Sequence, residues 1–249
     1  MSERQNIYDD PEFFAGYTRL RQTARGLNDV LEQPALWSVL PRSLDGRSVL
    51  DLGCGFGDFA RRARRAGAAR VVGLDLSLRM LESARHQTND DAIHYHHMAI
   101  EDLDLPGDRP FDLAVSSLAF HYIADYPSAL ARVAAHLKPG ALFAFTVEHP
   151  ICTALSAQQW IRDDNGHAQY WPVDDYRIEG ARETRWFVDG VVKYHRTVET
   201  YVNGLLAAGF TLRCLKEPEP VAGAAAEMIP GLDLHRRRPP FLLLSAIRD

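Results

Sequence analysis

The segment Val49-Leu50-Asp51-Leu52-Gly53-Cys54-Gly55-Phe56-Gly57 constrains the fold more than any other part of the chain. An apolar run ends in an acid and breaks into three glycines at alternate positions, and a helix-forming stretch follows over 58–66. That order predicts a buried strand, a tight turn and a helix start, the geometry that holds a nucleoside-like cofactor. Glycine serves twice in such a turn. It tolerates positive φ, and it has no Cβ to keep a ligand off the backbone.

Strands and helices alternate outward from this turn. Apolar runs predict strands over 48–52, 70–74, 92–98, 111–116 and 141–147. Helices are expected over 58–66, 77–87 (with Ser77 as N-cap), 128–137 and 198–208, the third of these stopped by Lys138-Pro139-Gly140. Two last strands fall over 210–215 and 241–247, open to an antiparallel pairing. The β-α-β-α rhythm implies a doubly wound, Rossmann-like, mostly parallel α/β sheet, whose ligands sit outside the carboxyl ends of the strands. Residues 1–46 read as an N-terminal helical cap, with Phe13, Phe14, Tyr17 and Leu20 at near-helical spacing, and 47–249 as the main domain. The rhythm breaks at Glu148-His149-Pro150. Residues 150–196, with a strand expected at 191–194, carry Trp160, Tyr170, Trp171, Tyr176, Trp186, Phe187 and Tyr194. They read as an aromatic-rich insertion after the fifth strand, either a substrate lid or a small extra core.

At 249 residues with 46% hydrophobic and 24% charged content, the composition is that of a soluble globular protein. A net charge of −5 argues against a large nucleic-acid footprint. There is no apolar run of about 18 residues to span a membrane, and the polar start Met1-Ser2-Glu3-Arg4 lacks the apolar core of a signal peptide. Cys54, Cys152 and Cys214 are odd in number and scattered, which fits a reducing, cytoplasmic setting and gives no disulfide or zinc framework. His94, His96 and His97 have no evident partner carboxylate and read as surface or core histidines, so no metal is expected. Arg61, Arg62, Arg64 and Arg65 read as the wet face of a helix, and Arg236-Arg237-Arg238 as a solvated loop before Pro239-Pro240. A homodimer is compatible with the sequence.

Two cofactor classes compete for the glycine turn. Gly55, Gly57 and Ala60, with Asp75 downstream, satisfy a dinucleotide fingerprint, which keeps an NAD-dependent oxidoreductase open. The other class matches more of the chain. The run 49–57 resembles the first motif of class I S-adenosylmethionine-dependent methyltransferases, and the resemblance continues in order. Val72-Gly73-Leu74-Asp75-Leu76-Ser77 is similar to the family's second strand, Ile100-Glu101-Asp102-Leu103 to the segment beside the adenine, 111–122 to the fourth-strand motif, and Leu137-Lys138-Pro139-Gly140-Ala141-Leu142-Phe143 to the turn before the fifth strand. The resemblance implies a seven-stranded sheet, S-adenosyl-L-methionine as cofactor with S-adenosyl-L-homocysteine as product, and a small-molecule methyl acceptor. It implies that Asp51, Gly53, Cys54, Gly55 and Gly57 form the cofactor turn and that Asp75, Leu76 and Met80 flank the ribose. Ile100 and Glu101 would lie beside the adenine, and Ser116, Ser117 and Leu118 would close the strand ends. Asp51 acts directly, through water or by orienting the turn; the sequence leaves the three open. Many relatives carry an acid where Ala99 stands, so here Glu101 or the Ile100 backbone must substitute. Asp58 at the helix start agrees with a cofactor lacking a pyrophosphate, because an acid there discourages a diphosphate. Tyr17 and Arg21, one helical turn apart, either close over the cofactor carboxylate or are a packed ring beside a solvated arginine.

Methyl transfer from a sulfonium is an in-line displacement that needs alignment and exclusion of water. His121, after the fourth strand, and His149 and His195, around the insertion, are the candidate catalytic residues, with Glu148 and Tyr194 as further orienting groups. A neutral imidazole suits proton removal because its ordinary pKa is about 6.5. A non-catalytic nucleotide-binding protein is the reading from a different class.

Overall fold

The computed structural model describes residues 4–22, 26–221 and 231–249. The expected cap over 1–46 and the expected domain over 47–249 therefore include stretches (1–3, 23–25 and 222–230) that lie outside the described residues. In chain order the helices and strands are α1 (Pro11–Gln22), α2 (Gln33–Val39), β1 (Ser48–Leu52), α3 (Asp58–Arg65), β2 (Arg70–Asp75), α4 (Leu78–His86), β3 (Ile93–His97), β4 (Phe111–Ser117), α5 (Tyr126–His136), β5 (Leu137–Glu148) and α6 (Pro150–Thr153). They continue as β6 (Ile161–Arg162), β7 (Ala168–Tyr170), β8 (Gly180–Trp186), β9 (Val188–His195), α7 (Val198–Ala207), β10 (Phe210–Lys216), α8 (Leu232–Arg237) and β11 (Phe241–Arg248). Short turns of 3-10 helix at Ile7–Asp9, Ile100–Asp102 and Phe120–Tyr122, and a π-helical turn at Asn28–Glu32, connect them.

Seven strands form one sheet in the order β10-β11-β5-β4-β1-β2-β3. β1 pairs in parallel with β2 and β4, β2 with β3, and β4 with β5, while β11 runs antiparallel to both β5 and β10. The fold is thus the seven-stranded, mostly parallel, Rossmann-like sheet expected from the sequence. Its central strands read as continuous apolar runs because helices cover both faces. Leu50, Leu52, Val72, Phe143 and Phe145 pack against α5 and α7 on one face, and Val49, Val71, Leu113, Leu142 and Leu243 against α2 and α3 on the other. Each such side chain, fully buried, is worth about 1.5–3 kcal/mol. β3 is an edge strand, and its outward positions His94, His96 and His97 are exposed.

β5 begins at Leu137, four residues earlier than expected. Its register with β4 jumps from Phe111–Leu137 to Leu113–Leu142, so Lys138-Pro139-Gly140 sits in an irregularity where a proline costs no ladder hydrogen bond. Within 150–196 the structure adds α6, the short pair β6–β7 and the hairpin β8–β9. β9 alternates so that Val191, Lys193 and His195 are buried on one side. β8, with Arg182, Glu183 and Arg185, carries no apolar run to announce it. No helix among the described residues is long and apolar enough to cross a membrane.

Candidate functional site

The strand order reverses between β1 and β4, and the carboxyl ends of β1, β2 and β4 open into a cavity of about 2410 Å³. A pocket for one ligand commonly measures about 300–1,000 Å³, so this one has room for a nucleoside cofactor and a second molecule.

Its near half is the glycine turn. The Gly53 and Cys54 amides both donate to the Leu74 carbonyl at 2.8 Å, which ties the turn to the end of β2. Gly55 has φ +52, and a Cβ built on it meets nothing within 4 Å, so a side chain there would enter the open cavity. Gly53 has φ +75, and its Cβ would lie 2.5 Å from that of Ala119. Gly55 is therefore bare toward the cavity, where a ligand can lie along the backbone, and Gly53 is bare to admit the Ala119 side chain. Gly57 serves otherwise: it caps α3, and Tyr95 Oη packs where its Cβ would be.

Two carboxylates face this half. Asp75 accepts from Gly55 N with one oxygen and Ser77 N with the other, each at 2.8 Å. Burial raises its pKa to about 6 despite those bonds. Asp51 is 2% exposed, and its Oδ2 has no hydrogen-bond partner. Burial first, then the charges of Asp75 and Asp58, raise its pKa to about 8. An orphaned buried carboxylate beside an open cradle fits a cofactor that brings an ammonium, and Asp75 keeps lone pairs for a pair of hydroxyls. Leu76, Met80, Ile100, Glu101 and the buried Cys54 complete this lining.

The roof comes from the N-terminal segment. Tyr17 lines the cavity, stacks on Phe56 at 5.9 Å and meets Trp186 edge-on. Arg21 also lines it and bonds Asp58 at 3.2 Å. Tyr8 joins Tyr17 to Tyr122 through edge contacts.

At the end of β4 lies a strained element. Leu118 holds φ +54 without being glycine, a conformation that costs about 1–3 kcal/mol. Its amide donates to both the carbonyl and Oγ1 of Thr146, each at 3.1 Å. Thr146 and Ser117 in turn donate to Glu32 Oε1 at 2.6 and 2.9 Å, and Gln33 donates to Glu32 Oε2 at 2.7 Å. Glu32 is fully buried, which raises its pKa above the usual carboxylate range. It has no signal in the sequence, because its two hydroxyl partners lie 85 and 114 residues away. Ser117 and Leu118 line the cavity, whereas Ser116 is buried and donates to the Leu52 carbonyl at 2.7 Å, fastening β4 to β1.

The far half is walled by Glu148, Cys152, Trp160, Trp171 and Arg238. His121 stands near the junction of the two halves. It is 3% exposed, and burial lowers its pKa to about 4. Its Nδ1 accepts from the Glu148 amide at 3.3 Å, which places its proton on Nε2. Glu148 pairs with the buried Lys193 at 2.6 Å, whose charge holds its carboxyl below the usual range although burial opposes this. His149 and His195 lie outside the cavity lining. His149 accepts from Ile151 N as the cap of α6 and reaches Glu217 at 2.9 Å. His195 is held between Thr153 Oγ1 at 2.8 Å and the Tyr176 carbonyl at 2.9 Å. The structure therefore brings together His121 and the cofactor-turn residues, and separates Gly57, Ser116, His149 and His195 from the cavity. Arg238, expected on a solvated loop, is instead 8% exposed, because α8 and Pro239-Pro240 fold it back over Trp171.

A family of methyltransferase domains matches residues 49–140. The chain is 43% identical to an S-adenosylmethionine-dependent methyltransferase of Mesorhizobium loti, covering 87% of this chain and 97% of that one with a TM-score of 0.79. It is 40% identical to a protein of Listeria monocytogenes described as a putative enzyme of the same kind, over 88% of this chain and 98% of that one, again with a TM-score of 0.79. Over 157 residues it is 36% identical to the malonyl-[acyl-carrier protein] O-methyltransferase of Salmonella typhimurium, spanning 58% of this chain and 60% of that protein.

Proposed function

We propose, from the premise that this chain belongs to the class I S-adenosylmethionine-dependent methyltransferase family and is an enzyme using that cofactor, that it methylates a small organic molecule held in the far half of the cavity. One observation carries the reading: a single cavity joins the bare glycine turn to a pocket walled by Trp160 and Trp171. Aromatic walls interspersed with polar and charged side chains suit a small organic acceptor that carries polar groups of its own. The relative from Salmonella typhimurium, named for O-methylation of a malonyl group on a carrier protein, supports a small organic group as the site of methylation.

Bound in the near half, the cofactor supplies an electrophilic methyl group on a sulfonium. The protein's own tasks are to bind, orient and exclude water. Asp75 receives the hydroxyls, Asp51 the ammonium, and the Leu118 turn sets the wall where the two halves meet. His121, neutral with its proton on Nε2, orients the acceptor by donating a hydrogen bond instead of removing a proton. Lys193 holds one oxygen of Glu148 and keeps its carboxyl ionised, a weak base, and His149 and His195 are taken by their own partners, so this arrangement favours an acceptor atom that attacks without a strong protein base. The segment 150–196 acts as the lid, its Trp186 packed on Phe13 and Tyr17 of the cap. The dinucleotide reading of Gly55, Gly57 and Ala60 is disfavoured because Tyr95 fills the space over Gly57, where a pyrophosphate would approach.

Thermal stabilisation by S-adenosylhomocysteine but not by NAD, followed by transfer of labelled methyl to one member of a small-molecule panel, tests the proposal. Stabilisation by NAD alone would overturn it.

A further inference from the structure

We propose that Arg238 is the anchor for a carboxylate carried by the methyl acceptor. This rests on the methyltransferase reading and specifies the chemistry of its second substrate.

Arg238 lines the cavity yet is 8% exposed, and a guanidinium stays charged at any working pH. Among the described residues no carboxylate lies within ion-pair distance of it. Its guanidinium carbon sits 4.0 Å from the Trp171 ring centroid and 5.9 Å from that of Trp160. Nη1 donates to Cys152 Sγ at 2.7 Å, Nη2 contacts His235 Nδ1 at 3.2 Å, and Nε has no partner. Burying a charge without its counterion is costly, so a cation held this way is incomplete until an anion arrives.

The neighbouring partners are neutral. Burial pushes the Cys152 thiol up to about 12, so its sulfur is no thiolate. Burial lowers His235 to about 4, so it is no second cation. Glu148 and Lys193 cancel each other. The buried groups facing this half therefore carry one net positive charge, which one carboxylate balances and a phosphate monoester, with nearly two negative charges, does not. The planar fork of the guanidinium matches a carboxylate bidentately, and the stacked indole fixes its plane. A carboxylate oxygen that attacks a sulfonium methyl forms a C–O bond as the C–S bond breaks. The electron pair goes to sulfur, and no proton has to be taken up, so the step needs no protein base.

The test is a tryptophan-fluorescence titration of the S-adenosylhomocysteine-loaded enzyme, in which Trp160 and Trp171 report on the site, with hexanoate, hexanamide and hexyl phosphate. Wild type should bind hexanoate saturably and at least about ten-fold more tightly than the amide or the phosphate. Arg238→Gln should lose that preference, Arg238→Lys should keep part of it, and both should retain wild-type affinity for S-adenosylhomocysteine by calorimetry. Equal affinity for acid and amide, a preference for the phosphate, or an acid preference that survives in Arg238→Gln would each overturn the assignment. Failure of wild type to bind S-adenosylhomocysteine is read in the calorimeter alone and sinks the methyltransferase reading itself.

Discussion

Replacing Asp51 by Asn should make the cofactor-free protein more stable with rising pH, relative to wild type, while weakening cofactor binding. The pKa of Asp51 is lifted from an ordinary aspartate's 3.8 to about 8. A raised acid pKa contributes stability that is complete below the unfolded value and is lost as pH climbs through the folded one. Between pH 5 and pH 8 the folded protein holds a proton that the unfolded chain has released. Wild type should lose stability relative to Asp51→Asn by about 1.4 kcal/mol per pH unit, roughly 4 kcal/mol across that window. At pH 5 the variant should be the less stable, by about 1–3 kcal/mol, because its amide buries an unpaired donor where Oδ2 now stands alone. Urea unfolding of the cofactor-free proteins at pH 5, 6, 7 and 8 measures the crossing curves. Calorimetry adds an independent readout. An ammonium set against Asp51 restores its ionised form, so S-adenosylmethionine binding at pH 7 should release about one proton from wild type and almost none from the variant. Parallel stability curves, or a wild-type binding enthalpy that does not depend on buffer ionisation, would refute the argument.

Other outcomes follow from the same geometry. Gly55→Val should weaken S-adenosylhomocysteine at least about 100-fold in calorimetry, while lowering stability by only about 1–3 kcal/mol, since the new side chain meets open cavity and strains one positive φ. Glu32→Gln should destabilise the fold by about 1–3 kcal/mol in urea titration, because an amide cannot accept from Thr146, Ser117 and Gln33 at once without facing one donor with another. His121→Gln should reduce kcat several-fold. Since burial lowers His121 to about 4, the wild-type pH–rate profile should show no limb near pH 6.5 from this residue, and a wild-type limb there that vanishes in the variant would contradict its placement.

The cofactor half was legible in the sequence because its signals are local. A buried parallel strand announces itself as an apolar run, and a turn that admits a ligand announces itself as glycine, so the residues proposed to hold the cofactor, Asp51, Gly55 and Asp75, could be picked out from one short stretch and its echo about 20 residues on. Gly57 and Ser116 belong to the same motifs, but the structure turns one under Tyr95 and the other onto Leu52; spacing cannot tell a glycine bare for a ligand from one bare for a neighbour. The acceptor half was not legible, because its parts are gathered by tertiary folding. Arg238 meets a cysteine 86 positions earlier and Glu148 a lysine 45 positions later, and neither pairing leaves a periodic trace. The run of three arginines looked like solvated chain because two of the three are exposed; only the proline pair behind them turns the third inward.

The parallel strands β1, β2 and β4 carry the half proposed for the cofactor, whereas the half proposed for the acceptor hangs on the excursion after β5 and residues 231–240 before the antiparallel β11. Those two segments meet each other directly, His149 N donating to the Pro240 carbonyl at 2.9 Å and Cys152 lying against Arg238. Selection can therefore act on them as a pair. A descendant that exchanges both inherits a working methyl donor site and changes only its clientele, while one that exchanges a single segment strands a buried guanidinium or a thiol without its counterpart. New specificities in this lineage should arise by coordinated replacement of two stretches far apart in sequence, and chimaeras built on that rule should fold where single-segment grafts do not.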